Sequence, residues 1–383
     1  MGRAKEAAAE AVTAVVDSAA AAVSPAGAGP SGRAESLKTG TLSPRRAARL
    51  PGPARFALAV VLSFALSSLG RSFVDQCSQY EVGSITRETN SRTELLVLAA
   101  WKLFALALGW FGDYDGYDVA ALSLLAHGPA GAQRESEVLL MAPTWHGRAQ
   151  STDVHGAQTY LISVFYGIRA LTAGAYLAVD VVSTFLPFLL LRRLSGAHSA
   201  APGIPNRDIV VDRGIQALTS AQSALVYSVV LFLASRYLLP NNLVLYFEGI
   251  PTITPAADAT FLGFGTPTTQ LLSLLFGLAA RTFIFTPFLA TPPTSEDQKN
   301  AEFDPVHASL GQTVAWNLWG YTTRTKVSLI RTAVAMLFTG VGTFLDTTLA
   351  IKGVEPYGAA VYAGVWVTAA LVTGLSLRYV GSI

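Results

Sequence analysis

Seven long apolar runs are the feature that most constrains how this chain of 383 residues folds. A helix needs about 20 apolar residues to cross the hydrocarbon core of a bilayer, because each residue advances it by about 1.5 Å. Each run approaches that length, so we predict an all-α fold, a polytopic transmembrane helix bundle. The runs cover approximately 55–74, 94–111, 171–191, 215–239, 269–290, 327–349 and 357–377.

Two shorter apolar pieces, Val119–Ala126 and Tyr160–Ile168, together have the length of an eighth crossing. Cytosolic loops carry an excess of Lys and Arg, and this rule favours counting the two pieces as one crossing. With eight crossings the Arg-rich loop at 192–213 is cytosolic, whereas the segment 240–268, which has no Lys or Arg, is external. We therefore predict seven to eight crossings, with eight favoured and both termini cytosolic. Residues 128–158 are then a polar insertion in the third unit, either genuine or an error of the gene model.

Residues 1–54 are rich in Ala, Gly, Ser and Pro and contain no run that spans a bilayer. Such a composition buries too little apolar surface to offset the entropy of folding. We predict a disordered cytosolic tail at 1–54 and a transmembrane helical domain at 55–383.

The composition also limits which partners the chain is expected to bind. Only 14% of the residues are charged and the net charge is +2, without a basic surface that interleaves aromatic residues, so nucleic acid is not an expected partner. Cys77 is the only cysteine, which excludes an intrachain disulfide and a multi-thiolate zinc site. The lipid bilayer is the expected partner and no cofactor is predicted, while protein partners and a homo-oligomer stay open.

Charged residues inside the apolar runs are the first candidates for function, because an ionised group at the bilayer centre costs about 3 kcal/mol on insertion scales. Lys102, Asp180 and Arg281 lie deep in their runs. The helices of Asp180 and Arg281 each end in Pro-Phe-Leu, at Pro187 and Pro287, which places the two charges at similar depth. We predict that Asp180 and Arg281 face each other, either as a structural ion pair or in a transport pathway.

The segment Gly112–Asp118, with the sequence GDYDGYD, is the second candidate site. Carboxylates at Asp113, Asp115 and Asp118 are oxygen ligands suited to a hard divalent cation. The segment lacks the remaining ligands of a calcium-binding loop and the Ala-Arg that follows the core motif of membrane alcohol phosphotransferases. The alternative is a solvated turn that ends one helix and caps the next through Asp118.

Small residues recur every four positions in the last run, at Ala360, Gly364 and Thr368. This spacing lets a second helix approach closely, and we predict internal packing there in preference to a seam between two copies.

The C-terminal half of the chain, including WNLWGYTTRTK at 316–326 and GVEPYGAA at 353–360, resembles uncharacterised multi-pass membrane proteins of filamentous fungi. The resemblance implies no activity. It implies an endomembrane, the endoplasmic reticulum or a related one, and it marks residues 130–158 as the departure from the relatives.

Three functions stay open. The intramembrane charges favour transport of a small solute or an ion, the acidic turn favours a membrane enzyme that uses a metal and a lipid-linked substrate, and the small-residue stripe favours a scaffold or assembly factor. The chain has no nucleophile elbow, phosphate-binding loop or dinucleotide fingerprint, so we lean towards a protein that is not an enzyme.

Overall fold

The computed structural model describes residues 51–78, 92–126, 166, 170–250 and 267–382, and the described chain is helical without a strand. Most of the predicted tail and all of the predicted insertion lie outside these ranges. The helices are α1 (Gly52–Cys77), α2 (Arg92–Phe111), α3 (Gly116–Ala126), α4 (Ala170–Leu191), α5 (Arg207–Val211), α6 (Arg213–Tyr237), α7 (Leu239–Tyr246), α8 (Pro267–Ala280), α9 (Thr286–Ala290), α10 (Ser295–Ala301), α11 (Leu310–Trp319), α12 (Thr323–Ala350) and α13 (Pro356–Ser382); a π-helical turn, Arg281–Phe285, joins α8 to α9.

Among the described residues, six helical segments are long and apolar enough to cross a membrane, and α2 and α3 add two shorter apolar helices. The six are α1, α4, α6, the α8–α9 unit, α12 and α13. Their outward faces carry large apolar side chains such as Leu69 and Phe73, both more than two-thirds exposed. The chain is a polytopic helical membrane protein, which confirms the predicted fold class.

Contacts between helices give their relative directions. Arg71 and Asp75 of α1 contact Asp180 and Tyr176 of α4 respectively, so α1 and α4 are antiparallel. The guanidinium of Arg192, just after α4, donates to carbonyls at the end of α2, so α2 and α4 end on the same side of the bundle. The start of α4 therefore lies on the opposite side of the bundle from the end of α2, which agrees with the eight-crossing arrangement.

The two ends of the described domain lie on one side of the bundle. Phe56 packs against Trp110 and Phe111 at the end of α2, and Gly381 lies against Phe288 near the end of the α8–α9 unit. That end lies on the same side as the ends of α2 and α4, because Asn206 of the loop after α4 donates to the Leu289 carbonyl. An even number of crossings places both ends on one side. The membrane and the side that faces the cytosol stay predictions.

The α8–α9 unit departs from regular geometry next to its proline. Pro287 has no N–H to donate to the carbonyl of Phe283, four residues earlier. Arg331 of α12 donates to that carbonyl instead, at 2.8 Å. A side chain from another helix thus satisfies the backbone carbonyl that the π-helical turn leaves without its usual donor, as a kinked membrane helix requires.

Ala360, Gly364 and Thr368 lie on the exposed side of α13. The predicted internal packing is wrong, because these three residues are exposed, whereas α13 meets α12 at Val367 and Gly374 and packs Trp366 against Phe276 of α8. The alternative, a seam with a second copy, stays open.

Candidate functional site

A polar stripe runs along the buried face of α1. Ser63, Ser67, Arg71 and Asp75 recur every four residues, and each is at most 1% exposed. Residues at this spacing share one helix face. In α1 the polar face is therefore inside the bundle and the apolar face outside, the reverse of a helix on the surface of a soluble protein.

The centre of the stripe is an ion pair between α1 and α4. The guanidinium of Arg71 lies 2.7 Å from Asp180 Oδ1, and both side chains are 1% exposed. Lys102 of α2 is buried as well, with its ammonium 5.1 Å from the centre of the Phe64 ring, and it interacts electrostatically with Asp180. Two cations from different helices thus act on one carboxylate inside the bundle.

Polar contacts continue along α4 in both directions from Asp180. One turn before it, the Tyr176 hydroxyl donates to Asp75. One turn after it, the Thr184 hydroxyl donates to Ser123 Oγ of α3 at 3.2 Å. Lys102, Ser123 and Thr184 also line a small cavity, which is otherwise apolar and has room for about one water molecule.

Several buried oxygen atoms of α1 and α4 form no hydrogen bond with any residue of the described chain. They are Asp180 Oδ2 and the hydroxyls of Ser63 and Ser67. Each such atom costs about 1–3 kcal/mol if it stays unsatisfied. Each of these atoms can form a hydrogen bond with a water molecule or another small polar species.

The predicted pairing of Asp180 with Arg281 is wrong. Arg281 is also buried, but its guanidinium donates to the Val210 carbonyl at 3.3 Å. The reason is the placement of the helices: α4 packs mainly on α1 and α3, whereas the helix of Arg281 packs mainly on α6. The structure brings Asp180 and Lys102 together and leaves Arg281 apart.

The acidic turn lies where the ends of α2 and α4 meet. Asp115 precedes α3 and caps it, since Asp115 Oδ1 accepts from the Asp118 amide at 2.9 Å. Asp118 is fully buried and forms two hydrogen bonds with the Arg331 guanidinium. Asp115 and Asp118 are therefore buried, whereas Gly112, Asp113 and Tyr117 are exposed, so the expectation of a solvated turn is wrong for the two buried carboxylates. The cap of α3 is Asp115, and Asp118 adds only the reverse contact, in which its carboxylate accepts from the Asp115 amide at 3.5 Å.

His198 joins this turn from the loop after α4. Its Nδ1 lies 2.8 Å from Asp115 Oδ2, and its Nε2 lies 3.4 Å from the Thr282 carbonyl. Both ring nitrogens face acceptors, which favours the protonated imidazolium. Burial lowers the pKa of His198, but its hydrogen bond to Asp115 and the charge of Asp118 raise it above the usual value. Burial raises the pKa of Asp115, but the His198 hydrogen bond and two backbone donors bring it below its usual range.

Asp115, Asp118 and His198 each offer a ligand atom within 4.8 Å of the others, a spacing that fits a metal ion. Asp113 does not join them, because its side chain is 95% exposed and pairs with Arg192. Arg331, His198 and backbone amides already satisfy the two buried carboxylates. The metal site stays a prediction, and these contacts account for the cluster without an ion.

Sequence reasoning missed several residues of the buried network, namely Arg71, Asp75, Tyr176 and His198. The four-residue spacing of Ser63, Ser67, Arg71 and Asp75 was the available signal for α1. His198 carried no such signal, since its contact with Asp115 joins residues far apart in the chain.

Comparisons with known proteins give no relative. A scan against protein-family models, a search of curated proteins and a search of solved structures each found no match. The geometry of the buried network is therefore the basis for the functional proposal.

Proposed function

We propose that the protein transports a small solute or an ion across the membrane, with Asp180 at the centre of the pathway. The observation that carries the proposal is the buried group Arg71–Asp180–Lys102, drawn from three helices inside the bundle. Charges at this depth are costly and are found mostly in ion pathways, relays and sensors.

A purely structural ion pair is the main alternative. A buried pair offsets its desolvation only when its remaining lone pairs are also hydrogen-bonded. Asp180 Oδ2 accepts no hydrogen bond within the described chain, and the two nearby serine hydroxyls are in the same condition. This incomplete satisfaction favours a pathway over a pair that serves only to hold helices together.

The other open functions have less support. The acidic turn that suggested a metal-dependent enzyme is filled by Arg331 and His198, and Asp113 points away from it. The small-residue stripe that suggested a scaffold has no second feature that identifies a partner. Transport is the function that accounts for the buried charges.

Flux through reconstituted protein tests the proposal. The full chain is reconstituted in liposomes. Movement of K⁺ and Cl⁻ is measured as conductance after the liposomes are fused with a planar bilayer. Entry of glycerol is measured by light scattering, and entry of protons by a trapped pH-sensitive dye. We expect flux of at least one species above that of empty vesicles, and we expect Asp180→Asn to abolish it when equal amounts of folded protein are reconstituted.

The matched control is Asp304→Asn, which makes the same chemical change at a half-exposed residue of a surface loop. It should leave the flux unchanged. Equal flux in wild-type protein and Asp180→Asn contradicts a pathway centred on Asp180, and no flux of any of the four species contradicts transport.

A further inference from the structure

We propose that the species moved along this pathway is the proton, and that Asp180 binds and releases it. This inference rests on the proposed transport function and names its substrate. It also assigns Arg71, Asp75 and Tyr176, which sequence reasoning did not select, to the proton pathway.

The polar contacts form a regular series along α4. They occur at Tyr176, Asp180 and Thr184, so that successive contacts are one helical turn, about 6 Å, apart. Towards the end of α4, Leu189 packs on Gly116 of α3, and the next ion pair, between the buried Asp118 and the partly buried Arg331, lies close to that level. Polar groups are thus available at intervals along α4 from Tyr176 to the level of Leu189.

The dimensions favour a proton over a larger species. Every side chain in the series between Asp75 and Thr184 is at most 6% exposed, and the cavity beside Lys102 has room for about one water molecule. A hydrated metal ion or a polar solute needs an open lumen. A proton needs only donors and acceptors that exchange it along hydrogen bonds.

The charges around Asp180 also disfavour other ions. Arg71 faces it from α1 and Lys102 from α2, and these fixed cations repel K⁺ and Na⁺. Asp180 itself and Asp75, one turn away on α1, repel anions. From α3 the nearest polar group at this depth is the Ser123 hydroxyl, which is uncharged.

Asp180 has one oxygen available for the transfer. Oδ1 accepts from Arg71, whereas Oδ2 accepts no hydrogen bond within the described chain. An arriving proton forms an O–H bond at Oδ2 and makes the carboxyl neutral, which weakens its attraction to Arg71. The same O–H bond then breaks as the proton passes to the next water or carboxylate. One proton enters, one leaves, and no other bond changes.

Vesicles with a trapped pH-sensitive dye test the inference. A K⁺ gradient with valinomycin imposes an electrical potential on liposomes that contain the full chain, and the internal pH is followed. We expect wild-type protein and Asp304→Asn to acidify the vesicles, and Asp180→Asn to reduce the initial rate by about a hundredfold or to that of empty vesicles. A protonophore added at the end shows that the potential was present.

Asp180→Asn leaves Arg71 without its anion and is expected to fold poorly, so a second variant removes Arg71 and Asp180 together and keeps Lys102. Replacing a buried ion pair by apolar residues is often neutral for stability. We expect Arg71→Leu/Asp180→Leu to remain monodisperse and to transport no protons, and Asp180→Glu to retain part of the rate. Wild-type proton flux in the folded double variant overturns the inference.

The outcomes separate the two proposals. Proton flux that depends on Asp180 supports both. Flux of K⁺, Cl⁻ or glycerol that depends on Asp180, without a change of internal pH, overturns the proton assignment and leaves transport standing. No flux of any species overturns both.

Discussion

Three arginines that lie inside the bundle, two of them buried and Arg331 partly buried, use different sets of acceptors. Arg71 pairs with Asp180, Arg331 pairs with Asp118 and also donates to the Phe283 carbonyl, and Arg281 donates to the Val210 carbonyl. A guanidinium has five N–H groups in a rigid fork, so it can satisfy backbone as well as carboxylate oxygens. Residue type alone thus does not identify the acceptor, which depends on what lies opposite.

The His198–Asp115 pair should make stability depend on pH. The pKa of His198 is raised in the folded protein above its usual 6.5, so its contribution is complete below about pH 6.5 and is lost as pH rises through the folded value. The pKa of Asp115 is lowered below its usual 3.8, so its contribution is complete above about pH 4. The pair therefore stabilises most between these limits. We expect the detergent-solubilised protein to melt at a higher temperature at about pH 6 than at about pH 9, and His198→Gln to reduce that difference.

The control for this measurement is His307→Gln. His307 also pairs with an aspartate, Asp304, but it is 85% exposed, and exposed pairs contribute little. This variant should keep the wild-type difference in melting temperature between the two pH values. An unchanged difference in His198→Gln would show that the pair does not contribute.

At the scale of the element, α1 shows how a membrane helix can be amphipathic with its polar face inward. Lipid replaces water outside, so Leu69 and Phe73 face outward at no cost, and the polar residues must find partners within the bundle. The ion pair with α4 and the contact between Asp75 and Tyr176 hold α1 in one rotation about its axis. A slip of one residue would bring charges to lipid.

The crossing of α6 and α8 depends on a glycine. A Cβ at Gly277 would overlap the Ser220 carbonyl and lie 2.8 Å from the Ala224 amide nitrogen, both backbone atoms that do not move aside. We expect Gly277→Ala to destabilise the protein by about 1–3 kcal/mol through forced separation of the helices. Thermal unfolding in detergent should show a lower midpoint.

Gly364→Ala is the matched control for that substitution. Gly364 is an exposed helical glycine of α13, and a Cβ there meets nothing within 4 Å. The same added methyl group should leave the midpoint unchanged or raise it slightly, since Ala has the higher helix propensity. Equal midpoints for both variants would contradict the close approach at Gly277.

At the scale of the whole molecule, the relative directions of the helices determine which loops share a side. The ends of α2 and α4 meet through Arg192, so Asp113 and Ser199 lie on one side of the bundle. Lys352 lies at the opposite side, between α12 and α13. This arrangement distinguishes eight crossings from seven, because seven would place residues 113 and 199 on opposite sides.

Cysteine labelling tests this arrangement. The single native cysteine is removed by Cys77→Ser, and Asp113→Cys, Ser199→Cys and Lys352→Cys are made separately in that background. We expect a membrane-impermeant maleimide to label residues 113 and 199 from the same face of sealed vesicles, and residue 352 from the other. Labelling of 113 and 199 from opposite faces would exclude the eight-crossing arrangement.

Sequence predicted the positions of the helices closely. The run predicted at 171–191 is the helix Ala170–Leu191, and the run at 327–349 is the helix Thr323–Ala350. Apolar length is a local property, summed over neighbouring residues, and the cost of leaving a backbone group unpaired in lipid forces each such run to be helical. The excess of Lys and Arg in a loop is also a local property of the sequence, and it led to the prediction of an even number of crossings.

Sequence by itself therefore determined the fold class, a polytopic helical bundle, and the positions of its helices. It also identified deep charges such as Asp180 and Lys102 as candidates for function. Only the tertiary structure decided that Asp180 meets Arg71 instead of Arg281, that His198 reaches Asp115, and that Ala360, Gly364 and Thr368 face outward. The physical reason is that the face a helix turns inward depends on side-chain packing between helices far apart in the chain, and no local sum of residue properties contains that information.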